Sequence, residues 1–172
     1  MVKYEDLYEE IKHMLSEKRF RHSEGVVKRA IEYAEIYNAD IETVKLAAIA
    51  HDIAKEIPKE DRIPTCEKYG VELDEIEKKQ KSLIHAKLGA KIAEVEFGVD
   101  SEISNAIKYH TTGRANMSLL EKIIFIADAT GVDRKYDDAT DLYELAKKDL
   151  DKAMLHYQKV IIPDLLSQDK LI

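Results

Sequence analysis

Apolar residues recur at helical spacing along almost the whole chain, and this pattern constrains the fold most. Leu7, Ile11 and Met14 lie three or four residues apart, so they share one side of a helix. The 172 residues include only six Gly and three Pro, and no segment alternates apolar and polar residues as a strand does. The sequence therefore predicts an all-α fold, and its length fits one domain over residues 1–172.

Helix start and stop residues divide the chain into ten predicted helices. Asp40 suits an N-cap, Ser118 with Glu121 forms a capping box, and Gly98 follows a helical pattern. Residues 16–20 suggest a polar break before the second helix, and the helix after Ser118 is apolar nearly all round, so we expect it at the centre. The predicted helices span 4–16, 21–38, 41–54, 65–69, 74–79, 82–97, 101–110, 119–128, 139–148 and 150–166. The C-terminal helices, 139–166, follow a core at about 17–130.

Composition excludes several classes of function. The net charge of -7 leaves no broad basic surface for a nucleic-acid backbone, although a local basic pocket for a small phosphorylated substrate stays compatible with it. The single cysteine, Cys66, cannot form an internal disulfide, and no apolar stretch approaches the length that spans a bilayer. We therefore expect a cytoplasmic protein without membrane or nucleic-acid partners. A homodimer stays possible, because the apolar pattern does not separate surface residues from core residues.

Histidine and aspartate side chains cluster at the predicted helix ends beside apolar runs. The apolar run 47–50 leads directly into His51 and Asp52, and Asp128 closes the most apolar helix. A carboxylate is unfavourable at a helix C-terminus, so Asp128 needs a cation or several donors. Imidazole and carboxylate together suit a transition metal. The candidate ligands are His22, His51, Asp52, His85, His110 and Asp128.

Each of these residues alone is weak evidence. A single histidine beside an apolar face is more often structural, and a His-Asp pair arises by chance in many proteins. The other two histidines, His13 and His156, lie on charged helical faces, where we expect them to be solvated. The strength of the prediction is that four of the six histidines fall where a helix meets a loop.

The order of these residues resembles the HD-domain superfamily of metal-dependent phosphohydrolases. Within it, the chain is most similar to the YqeK family of symmetrical bis(5'-nucleosyl)-tetraphosphatases, over roughly residues 5–160. The loop that begins at His110 and the helix that begins at Leu119 are the most specific matches. The matching stretches are Arg19-Phe20-Arg21-His22, Ala50-His51-Asp52-Ile53-Ala54-Lys55, Ile84-His85-Ala86-Lys87-Leu88-Gly89-Ala90, Tyr109-His110-Thr111-Thr112-Gly113-Arg114 and Leu119-Leu120-Glu121-Lys122-Ile123 to Ala127-Asp128.

The resemblance implies hydrolysis of a dinucleoside tetraphosphate, such as diadenosine tetraphosphate, to two nucleoside diphosphates by a metal-activated water. It implies a metal, with iron favoured over Mn, Co or Ni, held by His22, His51, Asp52 and Asp128. It implies catalytic roles for Asp52, His85 and His110. It also implies that five residues surround the nucleotide diphosphate: Arg19, His85, His110, Thr111 and Arg134.

Several questions stay open from the sequence. His85 and His110 complete a second metal site bridged by Asp52, or else bind phosphate and donate a proton. Lys55 neutralises phosphate or is merely solvated, Arg114 is expected to be an exposed loop cation, and Cys66 is taken as a bystander. After Asp128 the family pattern gives way to Ala129-Thr130-Gly131-Val132-Asp133-Arg134, which keeps the register of the arginine.

Two other functions fit the same residues. One is another enzyme on this scaffold, a nucleotidase or a hydrolase of cyclic nucleotides or guanosine polyphosphates. The other is a non-catalytic module that senses metal and nucleotide. The complete ligand set argues against the sensor, because a sensor need not keep every ligand.

Overall fold

The computed structural model describes residues 2–131 and 139–170, over which the chain forms ten helices and no strand. This confirms the predicted all-α class. The helices are α1 Tyr4–Met14, α2 Glu17–Tyr37, α3 Ile41–Ala50, α4 Arg62–Tyr69, α5 Glu75–Lys79, α6 Ile84–Phe97, α7 Ser101–Tyr109, α8 Leu119–Ala129, α9 Ala139–Ala146 and α10 Leu150–Ser167. None of the helices in these ranges is both long and apolar enough to cross a membrane.

The start of α2 corrects the predicted break at 16–20. The Ser16 side chain accepts a hydrogen bond from the Arg19 backbone N–H, so Ser16 is the N-cap and the helix begins at Glu17. The polar residues that suggested a break are the solvent-facing first turn, and Phe20 packs inward. His22 consequently lies in the second turn of α2, not at its start.

The end of α3 corrects the predicted helix over 41–54. The helix stops at Ala50, and His51 is its C-cap. Beyond it the Ile53 N–H bonds the Ala50 carbonyl and the Lys55 N–H bonds the Asp52 carbonyl, both three residues back, so residues 51–56 form tight turns. The His-Asp pair therefore lies on a turn that projects from the end of a buried helix.

The core lies around α3 and α8. Helix α3 packs against α1, α2, α7 and α8, and its run of Ala47, Ala48 and Ala50 lets these neighbours approach closely. Helix α8 is buried along most of its length, as predicted, apart from the exposed Leu119 and the half-buried Lys122 and Asp128. Its predicted capping box is present, and the Asp40 N-cap and the Gly98 C-cap are also confirmed.

Helix α6 crosses the turn after α3 at short range, at Gly89. A Cβ atom at Gly89 would lie 3.1 Å from Ile53 Cγ2 and 3.6 Å from Ala54 Cβ. The contact with Ile53 is tighter than ordinary van der Waals packing, so any side chain at position 89 must push Ile53 away from the turn that carries Asp52.

We predict that Gly89→Val lowers the free energy of unfolding by about 2 kcal/mol, because a larger side chain must displace Ile53 in a packed core. Lys91→Val, at a position of the same helix where the side chain is 40% exposed, is the matched control for the cost of a β-branched residue. Urea titration followed by circular dichroism measures both. Equal stability of the two variants would show that the approach at Gly89 carries no packing constraint.

Candidate metal centre

Four imidazoles from four different helices stand in a row. His22 comes from α2, His51 from the end of α3, His110 from the end of α7 and His85 from the first turn of α6. Ring centroids are 5.4 Å apart for His22 and His51, 5.0 Å for His51 and His110, and 5.1 Å for His110 and His85. All four side chains are buried. The structure thus brings together every histidine that the helix ends suggested.

Three of these rings are oriented by the same local device. In His51, His85 and His110, Nδ1 lies 2.8, 2.6 and 2.7 Å from the backbone carbonyl oxygen three residues earlier. A carbonyl only accepts, so Nδ1 carries the proton and Nε2 keeps its lone pair. Because the carbonyls lie on each ring's own helix end or turn, Nε2 is turned away from the backbone and into the row. An outer hydrogen bond of this kind is how proteins orient metal-binding histidines.

Asp52 is the hub of the row. Its Oδ2 accepts a hydrogen bond from Arg19 Nη1 at 3.0 Å, and its Oδ1 lies 3.3 Å from His85 Nε2 and 3.5 Å from both His110 Nε2 and Lys55 Nζ. Burial acts to raise the pKa of Asp52, but a positive charge or proton shared with His51, His110 and His85 outweighs burial and holds that pKa well below its usual range. The carboxylate is therefore charged, although its side chain is only 3% exposed.

Two buried atoms at this hub lack a hydrogen-bond partner within the described residues: His51 Nε2 and Asp52 Oδ1. Both are lone-pair atoms, and His51 Nε2 lies 3.6 Å from Asp52 Oδ2. Leaving such atoms unpaired in a dry interior costs about 1–3 kcal/mol each. A metal ion satisfies both, because nitrogen and oxygen lone pairs are its ligands. The donor set fits a cation between these residues.

The predicted metal ligands fall into two overlapping groups. Among the described residues, the ligand atoms of His22, His51 and Asp128 lie within 4.8 Å of one another, and so do those of His51, Asp52 and His110. His22 Nε2 and Asp128 Oδ1 are 3.1 Å apart. The two groups share His51, so the other three predicted ligands lie around its imidazole.

Lys55 lies against the imidazole row and is therefore not merely a solvated lysine, while its role toward phosphate stays a prediction. Its Nζ lies 2.9 Å from His85 Nε2 and can donate to that lone pair. Thr111 Oγ1 adds a hydroxyl 3.1 Å from His110 Nε2 and 3.3 Å from His85 Nε2. The predicted phosphate-binding residue Arg134 lies outside the described residues.

Other predicted residues lie away from the centre. Arg114 is more than a loop cation, because it pairs through two nitrogens with the buried Glu121, at 3.1 and 2.6 Å. Cys66 is buried in the core, where burial raises the pKa of its thiol. His13 is exposed as expected, whereas His156 is half-buried.

Sequence reasoning missed the residues that hold the site in place. The buried Arg62 donates to the backbone carbonyls of Lys55, Ile57 and Lys81 at 2.7, 2.9 and 2.9 Å, and so fixes the turn after Asp52. The Glu56 carboxylate accepts hydrogen bonds from the backbone N–H and the hydroxyl of Ser16, at 2.5 and 2.7 Å, which ties that turn to the start of α2. Only the chain's tertiary course brings these groups together, so no local pattern marks them.

The end of α8 is fixed by a similar set of contacts that the sequence did not show. The Tyr33 and Thr130 hydroxyls are 2.8 Å apart, and Arg29 Nε donates to the Thr130 carbonyl at 3.0 Å. The Thr130 hydroxyl also bonds the Ile126 carbonyl at 2.7 Å. These contacts hold the last turn of α8, and with it Asp128, against α2.

Comparison with known proteins decides the family. Residues 19–133 match the HD domain, which is more than half of the chain. The chain belongs to the HD domain family. Membership implies a divalent metal, and the two His and Asp groups supply ligands for it.

Relatives of known name and structure extend over most of the chain. A Bacillus subtilis protein named symmetrical bis(5'-nucleosyl)-tetraphosphatase is 40% identical over 148 residues, 84% of this chain and 78% of the relative. A Staphylococcus aureus protein of the same name is 36% identical over 163 residues, 92% of this chain and 82% of the relative. The crystal structure of a predicted HD superfamily hydrolase involved in NAD metabolism from Clostridium acetobutylicum superposes with a TM-score of 0.94 at 37% identity, covering 100% of this chain and 92% of that one.

We predict that acid destabilises the metal-free protein between about pH 6.5 and pH 4. Burial lowers the pKa of both His51 and His85 from 6.5 to about 4, so over this interval the unfolded chain binds protons that the folded chain does not. The loss is at most about 3 kcal/mol for each histidine. Denaturant titrations at a series of pH values measure it, and His51→Gln should flatten the curve whereas His13→Gln, at an exposed site, should not. Stability independent of pH in this interval would contradict neutral buried rings.

Proposed function

We propose that this protein hydrolyses dinucleoside tetraphosphates symmetrically, giving two nucleoside diphosphates. The observation that carries the proposal is the buried His and Asp centre, in a chain whose relatives of 36–40% identity are named symmetrical bis(5'-nucleosyl)-tetraphosphatases. Diadenosine tetraphosphate is the representative substrate. Hydrolysis adds the elements of water across the central P–O–P bond, so each half keeps its own nucleoside and two phosphates.

The metal of this proposal is held by His22, His51, Asp52 and Asp128. Support comes from the unpaired lone pairs of His51 and Asp52 and from the fixed tautomer of His51. Imidazole and carboxylate ligands suit iron, and also Mn, Co or Ni. A bound metal polarises a phosphoryl oxygen and lowers the pKa of a water molecule.

The substrate's phosphate groups are bound by cationic and hydroxyl side chains that lie close to Asp52, His85 and His110. The Arg19 side chain is 35% exposed, and one of its N–H groups donates to Asp52. The remaining N–H groups of its guanidinium can donate to phosphate oxygens. The exposed Thr111 hydroxyl offers a further donor, and Lys55 supplies positive charge at 3.5 Å from Asp52. Arg134 stays a predicted phosphate-binding residue.

We assign His85 and His110 to proton transfer and to contact with the leaving phosphate. Their Nδ1 protons are engaged with backbone carbonyls, so each neutral ring offers a lone pair, not a proton, at Nε2. Lys55 reaches that lone pair in His85, and the Lys55–His85 pair can therefore hold a shared proton beside the phosphates. We therefore assign the role of proton donor to the Lys55–His85 pair instead of to either histidine alone.

Product identity tests the reaction directly. Purified protein with added divalent metal should convert diadenosine tetraphosphate to adenosine diphosphate alone, as measured by anion-exchange chromatography. Cleavage off centre would give a monophosphate and a triphosphate in equal amounts. That mixture, or no turnover with any of Fe, Mn, Co or Ni, would refute the symmetrical reaction.

Substitution of the ligands tests the site. We predict that His51→Ala and Asp52→Ala each lower turnover to less than about one hundredth of the wild-type value. Each should also remove bound metal, because each variant lacks one of the four proposed metal ligands. His13→Ala, at an exposed position, should keep both. Elemental analysis of protein purified without added metal should find iron in the wild type, and wild-type-like turnover in either ligand variant would refute the assignment.

A further inference from the structure

A groove of about 760 Å³ opens next to the metal centre, at its His85 and His110 end. Helices α5, α6, α7, α8 and α10 all contribute to it, so no single stretch of sequence shows it. Its lining is mainly apolar and includes three aromatic rings, those of Tyr109, Phe125 and Tyr157. A concave site of this size, apolar with a few polar groups, is typical of small-molecule pockets.

The aromatic rings in the groove suit a flat heterocycle. The Phe125 and Tyr157 rings contact edge to face, with centroids 5.8 Å apart and an interplanar angle of 80°. Gln158 also lines the groove, and an amide side chain offers both donors and an acceptor to a base edge. Purine and pyrimidine bases stack on aromatic side chains whatever their identity. The groove therefore has the chemistry to bind a nucleoside.

Thr111 connects the groove to the reacting centre. It lines the groove, and its hydroxyl lies 3.1 Å from His110 Nε2 and 3.3 Å from His85 Nε2. Tyr109 and Thr111 flank His110 in the chain, and Ala86 follows His85, so one wall of the groove is continuous with the imidazole row. A molecule in the groove can therefore extend a phosphate chain past Thr111 without leaving the protein surface.

We propose that this groove binds one nucleoside of the dinucleoside tetraphosphate, with Tyr157 and the neighbouring Ile162 of α10 as specificity contacts. The proposal rests on the proposed function for the identity of the substrate. A tetraphosphate chain links two nucleosides, so a site that cleaves it at the centre must accept a nucleoside on at least one side. The continuity through Thr111 favours this occupant over a second protein, which would need no path to the imidazoles.

The test separates the nucleoside from the phosphates. Calorimetry on the full chain loaded with Mn²⁺ compares adenosine diphosphate with inorganic pyrophosphate, and the ratio of their affinities measures the nucleoside's contribution. Tyr157→Ala should lower that ratio about tenfold. Ile162→Ala, whose side chain is 37% exposed and lines the groove, should lower it about threefold without unfolding the protein. Val160→Ala is the matched control, because Val160 is 41% exposed on the same helix and lies outside the groove.

A lowered ratio in the two groove variants, with pyrophosphate binding and the control unchanged, supports the proposal. An unchanged ratio in Ile162→Ala and Tyr157→Ala overturns it. A change of oligomeric state with an unchanged ratio, seen by sedimentation, also overturns it and makes the groove a contact between copies. If the wild type turns over no dinucleoside tetraphosphate, the proposed function fails, yet the affinity ratio still decides whether the groove binds a nucleoside.

Discussion

The buried carboxylate of Asp52 is the constraint on which the rest of the structure depends. A charged group in a dry interior is tolerated only when cations or donors surround it. Arg19 and Lys55 approach it from the open side, and His85 and His110 approach from the core. The Nε2 lone pairs of neutral imidazoles do not satisfy a carboxylate oxygen, so the arrangement is complete only with a positive ion or a proton among them.

The fold meets this constraint by placing ligands at the ends of rigid helices and fixing those ends separately. The backbone carbonyls three residues earlier orient His51, His85 and His110. Arg62 holds the turn after Asp52 through three carbonyls, and the contacts of Thr130 with α2 hold the end of α8. Because separate helices supply the ligands, their relative positions depend on core packing.

The helical class and most caps could be predicted from the sequence, because periodicity and capping are local properties. The candidate ligand side chains do lie together, and their binding of a metal stays a prediction. The break predicted at 16–20 extended too far, since the chain there is non-helical only at Leu15 and Ser16 and a polar first helical turn has the same composition as a loop. The end of α3 was also misplaced, because an apolar run does not show where three-residue turns replace a helix. Lys55 could not be assigned without its distance to His85, and neither Arg62 nor the groove beside Thr111 lies in any local motif.

In the proposed arrangement, one metal centre adjoins a phosphate-binding side and an aromatic groove. The central proposal is that an ion is bound among His22, His51, Asp52 and Asp128. Anomalous X-ray diffraction from crystals of the iron-loaded protein, collected on both sides of the iron absorption edge, tests this claim most directly. We predict an anomalous peak within bonding distance, about 2.0–2.3 Å, of ligand atoms that include His51 Nε2. A peak elsewhere, or none in crystals that contain iron by elemental analysis, would contradict it.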